Sequence, residues 1–101
     1  MHYRITKVNH EPGKRDDIVA YLKTKDEDVM SIEGLQSVRM IALSETESIA
    51  ISKYENEQQL KMAEEKFKEI MGGMMPFMTA PPEVSNGDEC WSVKKLSLIH
   101  I

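Results

Sequence analysis

Cysteine is nearly absent from this chain, Cys90 being the only one. A lone cysteine excludes an intrachain disulfide and any zinc site built from several thiolates of one chain. Positive charge is scarce as well, with 13 Lys+Arg against 17 Asp+Glu and a net charge of −4. Affinity for nucleic acid comes mostly from cations that neutralise phosphates, and no basic cluster supplies them, so nucleic acid is not an expected partner. Long apolar runs are missing too. The most apolar stretch, the methionine-rich segment ending at Ala80, is interrupted by Gly72, Gly73 and Pro76 and is too short to span a bilayer. Met1-His2-Tyr3-Arg4-Ile5 has neither the apolar core nor the small-residue cleavage site of a signal peptide. No membrane is expected, and the cytoplasm is the expected location. Phosphate-binding glycine loops, nucleophile elbows and zinc-ligand spacings are also absent.

What remains is an ordinary globular composition, 41% hydrophobic and 30% charged, over 101 residues. That length fits one domain, residues 1–101, with a thin stability margin that pairing with a second copy would widen. Tyr3, Ile5, Thr6 and Val8 suggest a first strand, in imperfect alternation, ended by Pro12-Gly13. From Lys14 the spacing turns helical, with Ile18, Leu22 and Val29 near one face and Asp16 and Asp17 at the positive end of the dipole. Leu35 to Leu43 predicts a second strand with one face fully buried, and Ser48 to Tyr54 a third.

The second helix is the clearest element. Asn56 suits its N-cap, with Gln59 three residues on. Leu60, Ala63, Phe67, Ile70 and Met74 make one apolar stripe, and Glu57–Lys61 and Glu64–Lys68 are favourable i,i+4 pairs. Gly72-Gly73 is expected to end or loosen it. Pro81-Pro82 and Asn86-Gly87 predict an irregular link, and Cys90 to Leu96 a fourth strand. Leu96 to Ile101 fits either a closing strand or a remnant of cloning. The order βαββαβ predicts an α+β, ferredoxin-like fold, an antiparallel sheet with both helices on one face. Its other face then lacks a cover, and a homodimer supplies one. Val38, Met40, Ile49 and Ile51 are the apolar positions that motivate this pairing.

Glu11-Pro12-Gly13-Lys14-Arg15-Asp16-Asp17-Ile18 resembles the opening of helix one in the antibiotic-biosynthesis-monooxygenase-like branch of the dimeric α+β barrels. Gly34 before strand two and Tyr54-Glu55-Asn56-Glu57 before helix two are similar to the same pattern. The resemblance covers roughly residues 3 to 95, in motifs that are mostly turn and cap chemistry. It implies a dimer with a pocket between sheet and helices for small organic molecules. Some such proteins oxidise polycyclic aromatics without a cofactor, some degrade haem, and many have no known activity. The haem-degrading members carry a Trp entering helix two and a His about ten residues later. Here Tyr54 and Glu64 or Glu65 stand at those places, and no histidine lies between His10 and His100, which disfavours haem degradation.

Two readings of function stand side by side: a barrel that binds a small apolar or aromatic ligand, and a cofactor-independent monooxygenase or isomerase acting on an activated aromatic substrate. In the second, Asn9, His10 and Tyr54 are candidates for the base and the oxyanion donor. No cofactor is expected. The expected ligand-binding residues are Asn9 and His10 at the pocket rim, Tyr54 and Trp91 as aromatics with a polar handle, and the stretch Met74 to Met78 as adaptable apolar lining. Against these, His10 and Asn9 also fit a solvated turn, and Tyr54 and Trp91 fit ordinary packing. Met71, Met74, Met75 and Met78 have a spacing that could offer thioethers to Cu(I) on an unbroken helix, but core or pocket filling accounts for them better, and no metal is expected. Cys90 is expected to be a buried, inert thiol, and Asp26-Glu27-Asp28 a solvated helix end.

Overall fold

The computed structural model describes residues 1–95, so Leu96 to Ile101 lies outside the described residues. The elements run β1 (His2–Asn9), α1 (Lys14–Lys23), α2 (Asp26–Met30), β2 (Leu35–Ala42), β3 (Glu47–Tyr54), α3 (Glu57–Met62), α4 (Glu64–Met74), a 3-10 turn (Met75–Phe77) and β4 (Glu83–Asp88). The four strands form one antiparallel sheet in the order β2-β3-β1-β4. This is the ferredoxin-like α+β architecture, with each expected helix divided in two.

The divisions have local causes. Helix one stops at Thr24, whose hydroxyl donates to the Tyr21 carbonyl at 2.6 Å and so competes with continuation of the helix. Helix two breaks at Ala63, where the Arg4 guanidinium donates to the buried carbonyl of Leu60 at 3.4 Å and pairs with Glu64 in the next turn. Its start is as expected, Asn56 Oδ1 accepting from the Gln59 amide at 2.9 Å. Glu57–Lys61 forms at 3.5 Å, whereas Glu64 turns to Arg4 rather than Lys68.

Gly72-Gly73 neither ends nor loosens the helix, because α4 continues to Met74. Gly73 is needed for a close approach instead. A Cβ there would collide with the Tyr21 hydroxyl, which donates to the Ile70 carbonyl at 2.9 Å and ties α1 to α4. Gly13, at φ 85°, takes the left-handed conformation that leads into α1.

The fourth strand is not at Cys90 to Lys95, and Leu96, the last residue expected in it, lies outside the described residues. The strand forms at Glu83–Asp88, from residues expected to be a link. As an edge strand it is exposed along its whole length and needs only backbone pairing with β1, so apolar content does not mark it. Cys90 is accordingly exposed rather than buried.

Helices cover one sheet face. On β1 the buried residues are His2, Arg4, Thr6 and Val8, and their cross-strand partners Tyr54, Ser52, Ala50 and Ser48 share that face. Two buried clusters make the core: Val8, Ile18 and Met74, and Tyr54, Leu60 and Ala63. Val38 and Met40 pair with Ser52 and Ala50, so they point at the helices and not at the uncovered face. No residue of β2 is fully buried, contrary to the expectation for this strand. The uncovered face carries Ile5 opposite Ile51 and Ile41 opposite Ile49, with Ile5 38% and Ile41 42% exposed.

Candidate functional site

The gap between sheet and helices holds a chamber of about 100 Å³. Its floor is the helix-facing side of β1, β2 and β3, with Thr6, Val8, Val38, Met40, Ala50, Ser52 and Tyr54, and its roof includes Leu22, Val29, Phe67, Ile70, Met71 and Met74. The walls are apolar except for three hydroxyl-bearing side chains, Thr6, Ser52 and Tyr54. A larger open groove of about 560 Å³ lies beside it, between α1, α2 and the β2 edge. Leu22, Val29, Leu35, Val38 and Met40 line both spaces, so the two adjoin along these residues.

The polar end of the chamber is built on a buried arginine. Arg4, 1% exposed, sits 3.8 Å above the centroid of the Phe67 ring and 5.5 Å from that of Tyr54. Its guanidinium donates to the Tyr54 hydroxyl at 3.2 Å and pairs with Glu64. An arginine can be this deep because its fork is satisfied by a hydroxyl, a carbonyl and a carboxylate while its plane stacks on an aromatic ring. Burial pushes the Tyr54 phenol up, with the Arg4 charge working the other way. Tyr54 is therefore a neutral hydroxyl near neutrality, suited to hydrogen bonding and not to service as a base.

The structure brings Tyr54 and Met74 to the chamber and leaves the other expected residues outside its lining. Asn9 ends β1, with its carbonyl accepting from the Thr79 amide at 2.9 Å. Met78 packs against the Val8–Ile18–Met74 cluster. Trp91 is 78% exposed beyond β4. His10 is 1% exposed, not a solvated loop residue. Its Nδ1 donates to the Glu11 carbonyl at 3.1 Å and its Nε2 shares a hydrogen bond of 2.9 Å with Ser48 Oγ, which also accepts from Arg15 Nε at 2.7 Å. This resembles a nucleophile and base in geometry, but Ser48 is 0% exposed and no substrate can reach it. The cluster fastens the start of β3 to the end of β1 and to α1. The space beside Tyr54 adjoins the groove along β2 and α2.

Arg4, Thr6, Ser52 and Phe67 were not singled out for the site from sequence. The available signal was the broken alternation of β1, where Ile5 and Val8 cannot share a face. It marks a strand with something packed on both sides, or a polar group buried on one.

No protein-family model matches the sequence, and no curated relative does. Solved structures do match in shape. A monooxygenase from the ActVA-Orf6 gene of Streptomyces coelicolor, solved with the ligand Nanaomycin D, superposes with a TM-score of 0.80 at 14% identity, covering 94% of this chain and 92% of that one. SnoaB, a cofactor-independent oxygenase from Streptomyces nogalater, gives 0.77 at 7% identity over 93% and 97%. A protein of unknown function from Nitrosomonas europaea gives 0.73 at 9% identity over 95% of each chain. At these identities the likeness is one of fold.

Proposed function

We propose that this chain, which has the α+β fold of the antibiotic-biosynthesis-monooxygenase-like proteins, binds a small apolar organic ligand between its sheet and its helices. One observation carries the reading: an apolar chamber with three hydroxyl-bearing side chains in its lining, Thr6, Ser52 and Tyr54, the last held by Arg4. The neighbour solved with Nanaomycin D supports it, since the same fold there holds an organic ligand. The test is to fill the chamber. Ala50→Leu should abolish binding of small apolar probes while circular dichroism and the denaturant midpoint stay near wild type. Undiminished binding by this variant places the ligand elsewhere.

The active form we propose is a cytoplasmic homodimer joined through the uncovered sheet face. Ile5, Ile41, Ile49 and Ile51 lie on that face, and pairing would bury them. Sedimentation equilibrium at micromolar concentration should return twice the 11.6 kDa chain mass. Ile51→Lys should return the single mass with the fold intact, and a wild-type monomer overturns the pairing.

A second reading, a cofactor-independent oxygenase acting on an activated aromatic substrate, draws on the Arg4–Tyr54 hydrogen bond. A hydroxyl held by a guanidinium can stabilise negative charge developing on a substrate oxygen. This reading lacks a base, because His10, the expected candidate, is committed to Ser48 and Glu11 outside the chamber. Binding without chemistry therefore leads.

A further inference from the structure

We infer that the ligand is a slim, uncharged, oxygen-bearing aliphatic chain, its oxygen end in the chamber and its hydrocarbon end in the groove beside β2. The inference rests on the reading that the chamber binds a ligand, and it names the ligand's class. Size is the first ground. A cavity of about 150 Å³ is what holds benzene in a well-studied protein core, and this chamber is about 100 Å³. A ring does not fit without rearrangement, whereas a chain needs little more than the width of a methyl group.

Continuity is the second ground. The chamber ends on the same five residues, Leu22, Val29, Leu35, Val38 and Met40, that begin the groove of about 560 Å³. Those side chains sit on α1, α2 and β2. The weakest cover among them is α2, five residues long with none buried. A molecule that outgrows the chamber has an apolar continuation between α2 and the β2 edge, where Val19 and Met30 extend the wall.

Polarity sets the orientation. The chamber lining has hydroxyls on Thr6, Ser52 and Tyr54 and no charged side chain, and the nearby Arg4 charge is already paired with Glu64. Such a lining can hydrogen-bond a ketone, aldehyde or alcohol oxygen but has no free countercharge for a carboxylate. The groove rim carries one charge of each sign, Lys23 and Asp26, and favours neither.

The experiment titrates protein carrying 13C-methyl methionine with 2-nonanone and, separately, with 2-naphthol. Met74 reports the chamber, Met30 the groove, and the exposed Met62 serves as control. The inference expects 2-nonanone to shift Met74 and Met30 with one saturation curve, at least tenfold tighter than 2-naphthol, with Met62 unmoved. Tyr54→Phe should weaken 2-nonanone by about fivefold or more and leave nonane unchanged. Tighter binding of 2-naphthol at Met74 overturns the aliphatic class while the chamber remains a binding site. A shift of Met74 by 2-nonanone with Met30 unmoved overturns the threading while the chamber remains a binding site. If neither probe moves Met74, the binding reading itself fails.

Discussion

The two ends of one sheet are finished differently. Around β1 every helix-facing side chain from His2 to Val8 is buried, and His2 and Arg4 among them have partners in β4, β3 and the helices. Around β2 the sequence is more apolar, yet no side chain is fully buried, and Val38 remains 46% exposed. Apolar content alone does not decide burial; what decides it is the element laid on top. Over β1 lie α3 and α4, with Arg4 joining both. Over β2 lies α2, a short helix held by no buried residue. Burial is concentrated around β1, and the open groove that adjoins the chamber lies beside β2.

The sharpest way to break this comparison is to truncate one residue from each region. Ile18→Ala, at a fully buried position packed on Val8 and Met74, should cost about 3–4 kcal/mol in a urea titration. Val38→Ala, on the loosely covered strand, should cost less than about 1 kcal/mol. Phe67→Ala should fall between them, at about 2–3 kcal/mol, because its ring supports Arg4 but also borders empty space. Equal losses at Ile18 and Val38 would erase the distinction.

A smaller effect separates the paired glycines of α4. Gly73→Ala should destabilise by about 1–3 kcal/mol by driving a methyl group into Tyr21. Gly72→Ala meets open space and should stabilise by up to about 1 kcal/mol through helix propensity. In a Tyr21→Leu background the cost of Gly73→Ala should shrink, a coupling that a double-mutant cycle reads directly.

The smallest effect is electrostatic. The Asp88 carboxylate, 2.6 Å from His2 Nδ1, holds the imidazole above its ordinary value near 6.5, helped by the Asn86 carbonyl 2.9 Å from Nε2 and by Glu57 on α3, while burial opposes it. Tyr54 faces His2 across the ladder as a neutral phenol. A histidine raised in this way contributes fully below about pH 6.5, and that contribution is lost as pH rises through its folded value. The stability difference between wild type and His2→Asn should therefore be larger at pH 6 than at pH 9. A difference that grows with pH would mean His2 does not hold β4 as a cation.

The fold was legible because its signals are local. Asn56 and Gln59 announce a helix start, Gly13 a turn, and the Leu60-to-Met74 stripe a core face. The site was only half legible. Tyr54 and Met74 line the chamber, and each belongs to a pattern that sequence displays. Arg4 and His10 were missed as buried groups because their burial depends on partners 38 to 60 positions away, Ser48, Tyr54, Leu60 and Glu64. β4 was misplaced because an edge strand paired on one side needs no apolar pattern, while Trp91 and Val93, which suggested a strand, stand exposed after it.

The measurement that tests the account most directly is a crystal structure of the protein soaked with 2-nonanone. The account predicts density between Tyr54 and Met74, with the probe's polar atom toward Thr6, Ser52 or Tyr54. Density confined to the uncovered face around Ile5 and Ile51, with the chamber closed by Met71 and Met74, would contradict it.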